Sequence, residues 1–344
     1  MKKHLFLIIK FTITIGILLY LYFEIEWQDM QQTLTHASAS MLILAILIYA
    51  ASQFLNTYKW SVLLHSHGPR HPMRRLLTYN FIGMFCNTFM PGMVGGDVQK
   101  CYAVFRDEKK RSGEQGLPKG RLPEIISSIL VARITGVLAM IWQANLAYFF
   151  LFPHLDIYKN SNNPFLKIIL PYILLGLLAG TVLFFIIPRF FNFNVHQHET
   201  KTGLLNKLIN PIKRMAMNVK GYVENWRLIV YVMILSLIFQ GIMNFIYALV
   251  GMSLHLPVSW IYYFIAIPLV TLISSIPISI SGFGVREGAM ATFFSFVGVG
   301  TAEAVLLSFS VVFVSIVPSL FGGLLLLKEG FFVQPSKSEL EGDE

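Results

Sequence analysis

The chain has 344 residues, of which 55% are hydrophobic and only 13% are charged, and its formal net charge is +9 at pH 7. This composition excludes an ordinary soluble domain and indicates a polytopic membrane protein. The positive charge does not indicate nucleic-acid binding, because the basic residues occur in short segments between apolar runs, where membrane topology explains them.

Six apolar segments are long enough to cross about 30 Å of hydrocarbon, which takes about 20 helical residues. They are 5–23, 41–64, 125–151, 166–188, 228–252 and 302–327. The first follows Lys2 and Lys3 and has no small-residue cleavage site close behind it, which favours a retained signal anchor.

The distribution of lysine and arginine predicts how these segments are oriented. The basic connections are 65–75, 106–124 and 189–227, whereas 24–40 has no lysine or arginine and 152–165 has only Lys159. Basic connections stay in the cytoplasm. We therefore expect a multi-pass protein of a bacterial-type inner membrane, with both termini cytoplasmic.

One apolar segment, 76–105, does not fit as a simple span. It contains "NTFMPGMVGGDVQK" at 87–100, and the basic connections on both sides of it must lie on the same side of the membrane. Broken at Pro91, each arm has about 14 residues, or roughly 21 Å as helix. These features predict a re-entrant hairpin.

A second irregular segment, 260–298, contains "PISISGFGVREG" at 277–288. Matching Pro277 to Pro91 places Gly282 on Gly96 and Arg286 on Lys100, and each hairpin follows a span that carries glutamine and asparagine. Each half then crosses the membrane an odd number of times, which predicts an inverted-topology repeat, the plan of many secondary transporters.

The predicted fold is thus an all-α polytopic membrane protein with about six transmembrane helices and two re-entrant hairpins. A single domain, 1–330, comprises halves of about 5–151 and 166–327, and 331–344 is expected to be a disordered cytoplasmic tail. A full span within 260–298 is the alternative for the second hairpin.

Charged residues at membrane depth are costly and usually face a cavity, a partner or a substrate. Asp97 and Lys100 are three residues apart and share a helix face, while Gly95 and Gly96 would let backbone N–H groups approach an anion. The alternative is an Asp97–Lys100 pair that only neutralises itself.

The second hairpin carries Arg286 and Glu287 side by side. On a helix, neighbours point about 100° apart, so we expect these two side chains to satisfy each other poorly. If the hairpins meet, Arg286 is predicted to pair with Asp97 and Glu287 with Lys100.

Two further groups of polar residues are candidates. Arg133 lies inside its span, with Gly136 on the same face, and snorkelling to the cytoplasmic surface is its alternative explanation. Ser236, Gln240 and Asn244 form a helix stripe, which interhelical hydrogen bonds explain as well as substrate contact does. With two negative and three positive charges, the embedded set suits an anionic headgroup such as phosphate.

Other features predict little chemistry. The histidines of "HSHGPRH" and "HQH" lack supporting carboxylates or cysteines, so no metal site is expected, and no phosphate-binding glycine loop for a nucleotide is present. Residues 201–227 are predicted to form an amphipathic helix on the inner leaflet or an ordinary basic loop helix.

Together these motifs resemble the flippase-like family that forms the transmembrane region of lysylphosphatidylglycerol synthetases. The resemblance covers about 5–330 and depends on three motifs in order: N-x-x-x-P-G-x-x-G-G-D at 87–97, Glu124 followed by R-I-T-G at 133–136, and P-x-x-x-S-G-F-G-V-R-E at 277–287. Lys100 stands where the family is expected to have arginine at least as often. The candidate substrate-binding residues are Asn87, Pro91, Gly95, Gly96, Asp97, Lys100, Glu124, Arg133, Gln240, Asn244, Ser281, Gly282, Gly284, Arg286 and Glu287.

The resemblance implies a translocase that moves an anionic or aminoacylated phospholipid, or a polyprenyl-phosphate-linked headgroup, between leaflets. Lipid synthesis is not expected, since no aminoacyl transferase part follows the last span, and no cofactor or nucleic acid is expected. A lipid-modifying enzyme is a candidate partner, and no oligomeric state is predicted. The alternatives are a membrane enzyme of lipid-linked sugar glycosylation, with Asp97 or Glu287 as base, and an accessory factor.

Overall fold

The computed structural model describes residues 12, 14–17, 19–20, 22–24, 27–66, 68–89, 95–113, 121–151, 153, 164–190, 215–276, 278–279 and 282–329, and for 184–190 it describes the backbone. In these ranges all regular structure is helical, which confirms the predicted all-α class.

The helices are numbered in chain order. In the first half they are α1 (Trp27–Thr35), α2 (Ala39–His65), α3 (Met73–Phe89), α4 (Gly95–Ser112) and α5 (Arg121–Leu146), which continues as a π-helical turn, Ala147–Leu151. In the second half they are α6 (Leu170–Phe190, preceded by a π-helical turn, Phe165–Ile169), α7 (215–224), α8 (Trp226–Ser253), α9 (Trp260–Ser275), α10 (Val285–Ser295) and α11 (Thr301–Glu329).

Five of the six predicted spans are confirmed as helices long and apolar enough to cross a membrane. They are Ala39–His65, Arg121–Leu151, Phe165–Leu183, Trp226–Ser253 and Thr301–Glu329. Large apolar side chains such as Leu47 in α2 and Leu324 in α11 are exposed on their outer faces, as expected of helices that face lipid. The sixth predicted span, 5–23, lies mostly outside the described residues.

Both irregular segments form pairs of short helices. In the first, α3 and α4 pack against each other, and in the second, α9 and α10 do so. Ile276 ends α9 with an extended backbone (ψ 127°) because the residue before a proline, here Pro277, avoids the helical conformation. With 16 residues, α9 is shorter than the about 20 that a span requires. The return of each pair to its own side of the membrane stays a prediction.

The packing has the exchange symmetry that two repeats would produce. The first arm of the first pair, α3, packs against the last span of the second half, α11, while α9 packs against the last span of the first half, α5. In the same way α2 contacts both α5 and α11, and so does α8, while α2 and α8 pack along each other. The inverted orientation itself stays a prediction.

The close approach of α3 and α11 depends on a glycine. A Cβ atom at Gly322 would overlap the backbone carbonyl of Phe81. This contact joins the first hairpin to the second half. In turn, α3 packs against α4, the helix that carries Asp97 and Lys100.

Candidate functional site

The carboxylate of Asp97 in α4 is shared by two cations. The Arg133 Nε of α5 donates a hydrogen bond to its Oδ2, and the Lys100 Nζ lies 3.9 Å from its Oδ1. The Asp97 side chain is 14% exposed, whereas that of Arg133 is 47% exposed. Asp97 and Lys100 therefore do not form an exclusive pair, and Arg133 is the member that an incoming group can reach.

The start of α4 is clamped onto α3. The Gly96 N–H donates to the Asn87 side-chain oxygen at 2.9 Å, and a Cβ atom at Gly96 would overlap the carbonyl of Gly83. The expectation that Gly96 offers its N–H to an anion is wrong in this structure, because Asn87 already occupies that donor. Here Asn87 and Gly96 hold the two arms of the hairpin together, and Gly95 is the residue at which α4 begins.

We expect Gly96→Ala to lower the free energy of unfolding by about 1–3 kcal/mol, the usual cost of forcing extra volume into a packed contact. The matched control is Gly136→Ala, where the added methyl would lie 3.6 Å from its nearest neighbour and helix propensity favours alanine. Thermal unfolding in detergent micelles measures both. Equal melting temperatures for the two variants would contradict the clamp.

The second hairpin has its own closed network. Glu287 is fully buried and accepts hydrogen bonds from the Gly284 N–H at 2.7 Å, from the Arg286 Nη2 at 2.5 Å and from the Ser308 hydroxyl at 2.9 Å. Gly284 (φ 81°) and Gly282 (φ 79°) form the turn before α10 in the left-handed region that favours glycine.

The predicted exchange of charges between the hairpins is wrong. Arg286 pairs with its neighbour Glu287, not with Asp97, and Glu287 does not pair with Lys100. Glu287 stands at the third position of α10, so its carboxylate reaches back to the helix start, and the long Arg286 side chain folds over to meet it there. The two hairpins carry separate sites, each completed by the span that follows it.

A buried lysine that was not among the predicted site residues joins the first site. Lys59 of α2 is 4% exposed, its Nζ donates to the Ala132 carbonyl at 3.2 Å, and it lies 5.6 Å from the centre of the Phe239 ring. It is also close enough to Lys100 for the two charges to interact. The available signal was a lysine within the apolar run 41–64, which is costly unless it has a function.

Gln240 and Asn244 join helices to one another. The Gln240 amide contacts the Gly136 carbonyl at 3.5 Å, and the Asn244 amide donates to the Gln143 side chain at 3.0 Å. Both bonds run from α8 to α5, as the hydrogen-bonding alternative predicted. A role in substrate binding stays a prediction for both residues, and Pro91 and Ser281 lie outside the described residues.

A groove of about 410 Å³ runs between α4 and α5, a volume typical of a small-molecule site. Asp97 and Arg133 lie at one end of the groove, which we call its inner end, and Arg106 and Lys109 lie at the other end. Asp97 and Lys109 are twelve residues apart on one helix, which corresponds to about 18 Å. The wall between these ends is largely apolar: Val98, Cys101, Tyr102, Phe105, Leu122, Ile126, Ile129, Leu130 and Met215.

Met215 belongs to α7, which packs on the bundle. The Tyr222 hydroxyl donates to the Leu63 carbonyl at 3.1 Å, and Tyr222 is buried in a cluster with Val131 and Ile229. The described part of 201–227 is helical at 215–224 and contributes Met215 to the groove wall, and its predicted place on the inner leaflet stays a prediction.

The far end of α4 is tied down by a buried ion-pair cluster. Arg121 of α5 donates to both Glu108 oxygens, at 2.6 and 2.7 Å, and His71 lies 2.8 Å from the same carboxylate. Burial alone would raise the pKa of the Glu108 carboxyl, but its hydrogen bonds with Arg121 and His71 outweigh burial and lower the pKa to about 2. Glu124, a predicted substrate contact, is 36% exposed and pairs with Arg121 at 2.9 Å instead of lining the groove.

Residues 7–323 match the family model described as Lysylphosphatidylglycerol synthase TM region. No curated protein and no solved structure matches the chain. The matched range includes both hairpins, the groove and all three networks of charged residues.

Proposed function

The chain belongs to the lysylphosphatidylglycerol synthase TM region family, as its motifs predicted, and on that premise we propose that it moves an anionic lipid between the leaflets of its membrane. The substrate class is a phospholipid or polyprenyl-phosphate lipid, with or without an aminoacyl group, in a bacterial-type inner membrane. A lipid-modifying enzyme that supplies or consumes this lipid is the proposed partner.

The observation that carries the proposal is an apolar groove with charged residues at both ends: Arg133 and Asp97 at the inner end, and Arg106 and Lys109 at the other. A lipid combines a charged headgroup with apolar chains, and the groove combines an apolar wall with three cations and one carboxylate. Arginine binds phosphate oxygens with two parallel hydrogen bonds, and Arg133 is half exposed in the groove. Arg133 is therefore the proposed headgroup contact.

The shared carboxylate makes this contact reversible. If Arg133 turns to a phosphate, Asp97 keeps Lys100, which already lies 3.9 Å away. No buried carboxylate is then left without a cation, a state that would cost about 3–5 kcal/mol. In this proposal Lys59 adds positive charge behind Lys100, which favours the binding of an anion by Arg133.

The second hairpin offers a corresponding headgroup-binding site in the other half. The Arg286 side chain is 21% exposed and is held by Glu287 and Ser308, so its guanidinium is positioned before any substrate arrives. If the halves rock against each other, as inverted-repeat transporters do, Arg286 receives the headgroup on the opposite side.

The test is exchange of a fluorescent anionic phospholipid between the leaflets of liposomes that contain the purified protein. We expect wild type to accelerate exchange over empty vesicles and Leu130→Trp, which fills the groove, to slow it by about tenfold or more. The control is Val137→Trp, two turns along α5: Val137 is 37% exposed and Leu130 38%, and only Leu130 lines the groove.

The same preparation distinguishes the enzyme alternative. Wild type that exchanges lipid no faster than empty vesicles, but consumes a lipid-linked sugar, would replace the translocase proposal with glycosyl transfer. Equal slowing by the two tryptophan variants would remove the groove as the route.

A further inference from the structure

A second cavity, of about 220 Å³, lies on the other side of α4, and its lining is largely polar. Three cations line it: Arg75 from α3, and Arg106 and Lys110 from α4. The remaining lining residues are Thr78, Tyr79, Ala103, Asp107 and Glu329. We call this cavity the polar pocket.

The carboxylate of Asp107 pairs with Arg75, one of these cations, but it does not neutralise the whole set, because two groups outside the lining also hold it. Besides Arg75, Asp107 is bound by Arg111 at 2.9 Å, and His71 lies 3.4 Å away. Lys110 forms no ion pair within the part of the chain that the structure describes. Glu329, at the end of α11, is exposed and is the one other acidic residue of the lining.

We propose that the polar pocket is a second anion site, which takes the phosphate group of a phosphate ester. Guanidinium and ammonium groups together with hydroxyls are the usual ligands of phosphate, and Thr78 and Tyr79 supply hydroxyls beside the three cations. The pocket is about half the size of the groove, so it suits a headgroup-sized anion, and the acyl chains of a lipid would have to lie outside it.

The polar pocket communicates with the groove through one residue. Arg106 lines both cavities, so an anion in the polar pocket competes with the groove for its guanidinium. Arg106 is therefore unsuitable as a test residue, whereas Lys110 and Glu329 line the polar pocket only. Binding of a phosphate there does not require lipid movement, so the inference can fail or succeed independently of the translocase proposal.

The experiment measures binding of radiolabelled inorganic phosphate to the full chain in nanodiscs of phosphatidylcholine. Lys110→Ala removes one charge-assisted contact and is expected to weaken binding by about tenfold. Glu329→Gln removes a repulsive charge and is expected to tighten binding by about twofold to fivefold. The matched control is Arg74→Ala, which removes an exposed cation next to the polar pocket without changing its lining.

Two competitors identify the source of the phosphate. If monomeric dihexanoyl phosphatidylglycerol displaces the label better than glycerol 3-phosphate, the occupant is a membrane lipid headgroup; the reverse order identifies a soluble phosphate ester. Either order retains the anion site. Absence of binding to wild type, or equal weakening by Lys110→Ala and Arg74→Ala, would overturn it, since the cations would then act only as general surface charge.

Discussion

Arg133→Ala is expected to slow leaflet exchange of an anionic phospholipid by about 10- to 100-fold, the loss expected when charge-assisted hydrogen bonds to a phosphate are removed. The Arg133 guanidinium is the exposed member of the pair with Asp97 at the inner end of the groove. Without it, Asp97 still has Lys100, so the hairpin should keep its fold while the headgroup loses its contact.

Two further variants separate the role of Arg133 from its charge. Arg133→Lys keeps the charge but loses the planar pair of donors, so its exchange rate should lie between those of wild type and Arg133→Ala. Arg227→Ala removes an arginine at the exposed start of α8, away from the groove, and should leave exchange unchanged. An Arg133→Ala protein that melts like wild type and exchanges lipid at the wild-type rate would remove Arg133 from the mechanism.

Segment length and hydropathy were sufficient to predict five spans, because a run of about 20 apolar residues has few alternatives in a membrane. The breaks at "PG" and "GFG" predicted the two helix pairs for a similarly local reason, since proline cannot continue a helix and glycine permits the turn. These inferences needed no knowledge of which helix packs against which.

The partners of the charged side chains could not be predicted in this way. One partner of Glu287 is Ser308, which lies 21 residues further along the chain in another helix. The sequence showed Arg286 and Glu287 as neighbours pointing apart, but a long arginine side chain can fold back over one residue. The angle of about 100° between neighbouring residues on a helix therefore predicted where the two side chains start, but not where their charged groups end.

The groove also depends on tertiary packing. Its wall combines apolar residues of α4 with apolar residues of α5 that lie 17 or more positions away, and Met215 of α7 comes from a further segment. The apolar residues of α4, such as Val98 and Phe105, have the same composition as residues that face lipid. The packing of α4 against α5, with Met215 beside them, places these residues on a groove.

Glu108→Ala is expected to have the largest effect on stability, a loss of about 3–5 kcal/mol in the free energy of unfolding. The Glu108 side chain is 2% exposed, and so its removal leaves the buried Arg121 and His71 without their shared acceptor. Glu124→Ala is the matched control, because Glu124 pairs with the same arginine from a 36% exposed position. Its loss should stay below about 1 kcal/mol. Denaturant titration of the detergent-solubilised protein measures both variants.

The same cluster predicts how stability depends on pH. The pKa of Glu108 is lowered from its usual 4.5 to about 2 in the folded protein, so the unfolded chain binds this proton first. The stabilisation is therefore complete above about pH 4.5 and is lost as the pH falls toward 2. Between pH 5 and pH 3 the melting temperature of wild type should fall more than that of Glu108→Gln, since the variant has no carboxyl to titrate at this position. Parallel curves for the two proteins would show that the hydrogen bonds with Arg121 and His71 do not hold Glu108 ionised. The attachment of the far end of α4 would then have to depend on the ion pairs of Asp107.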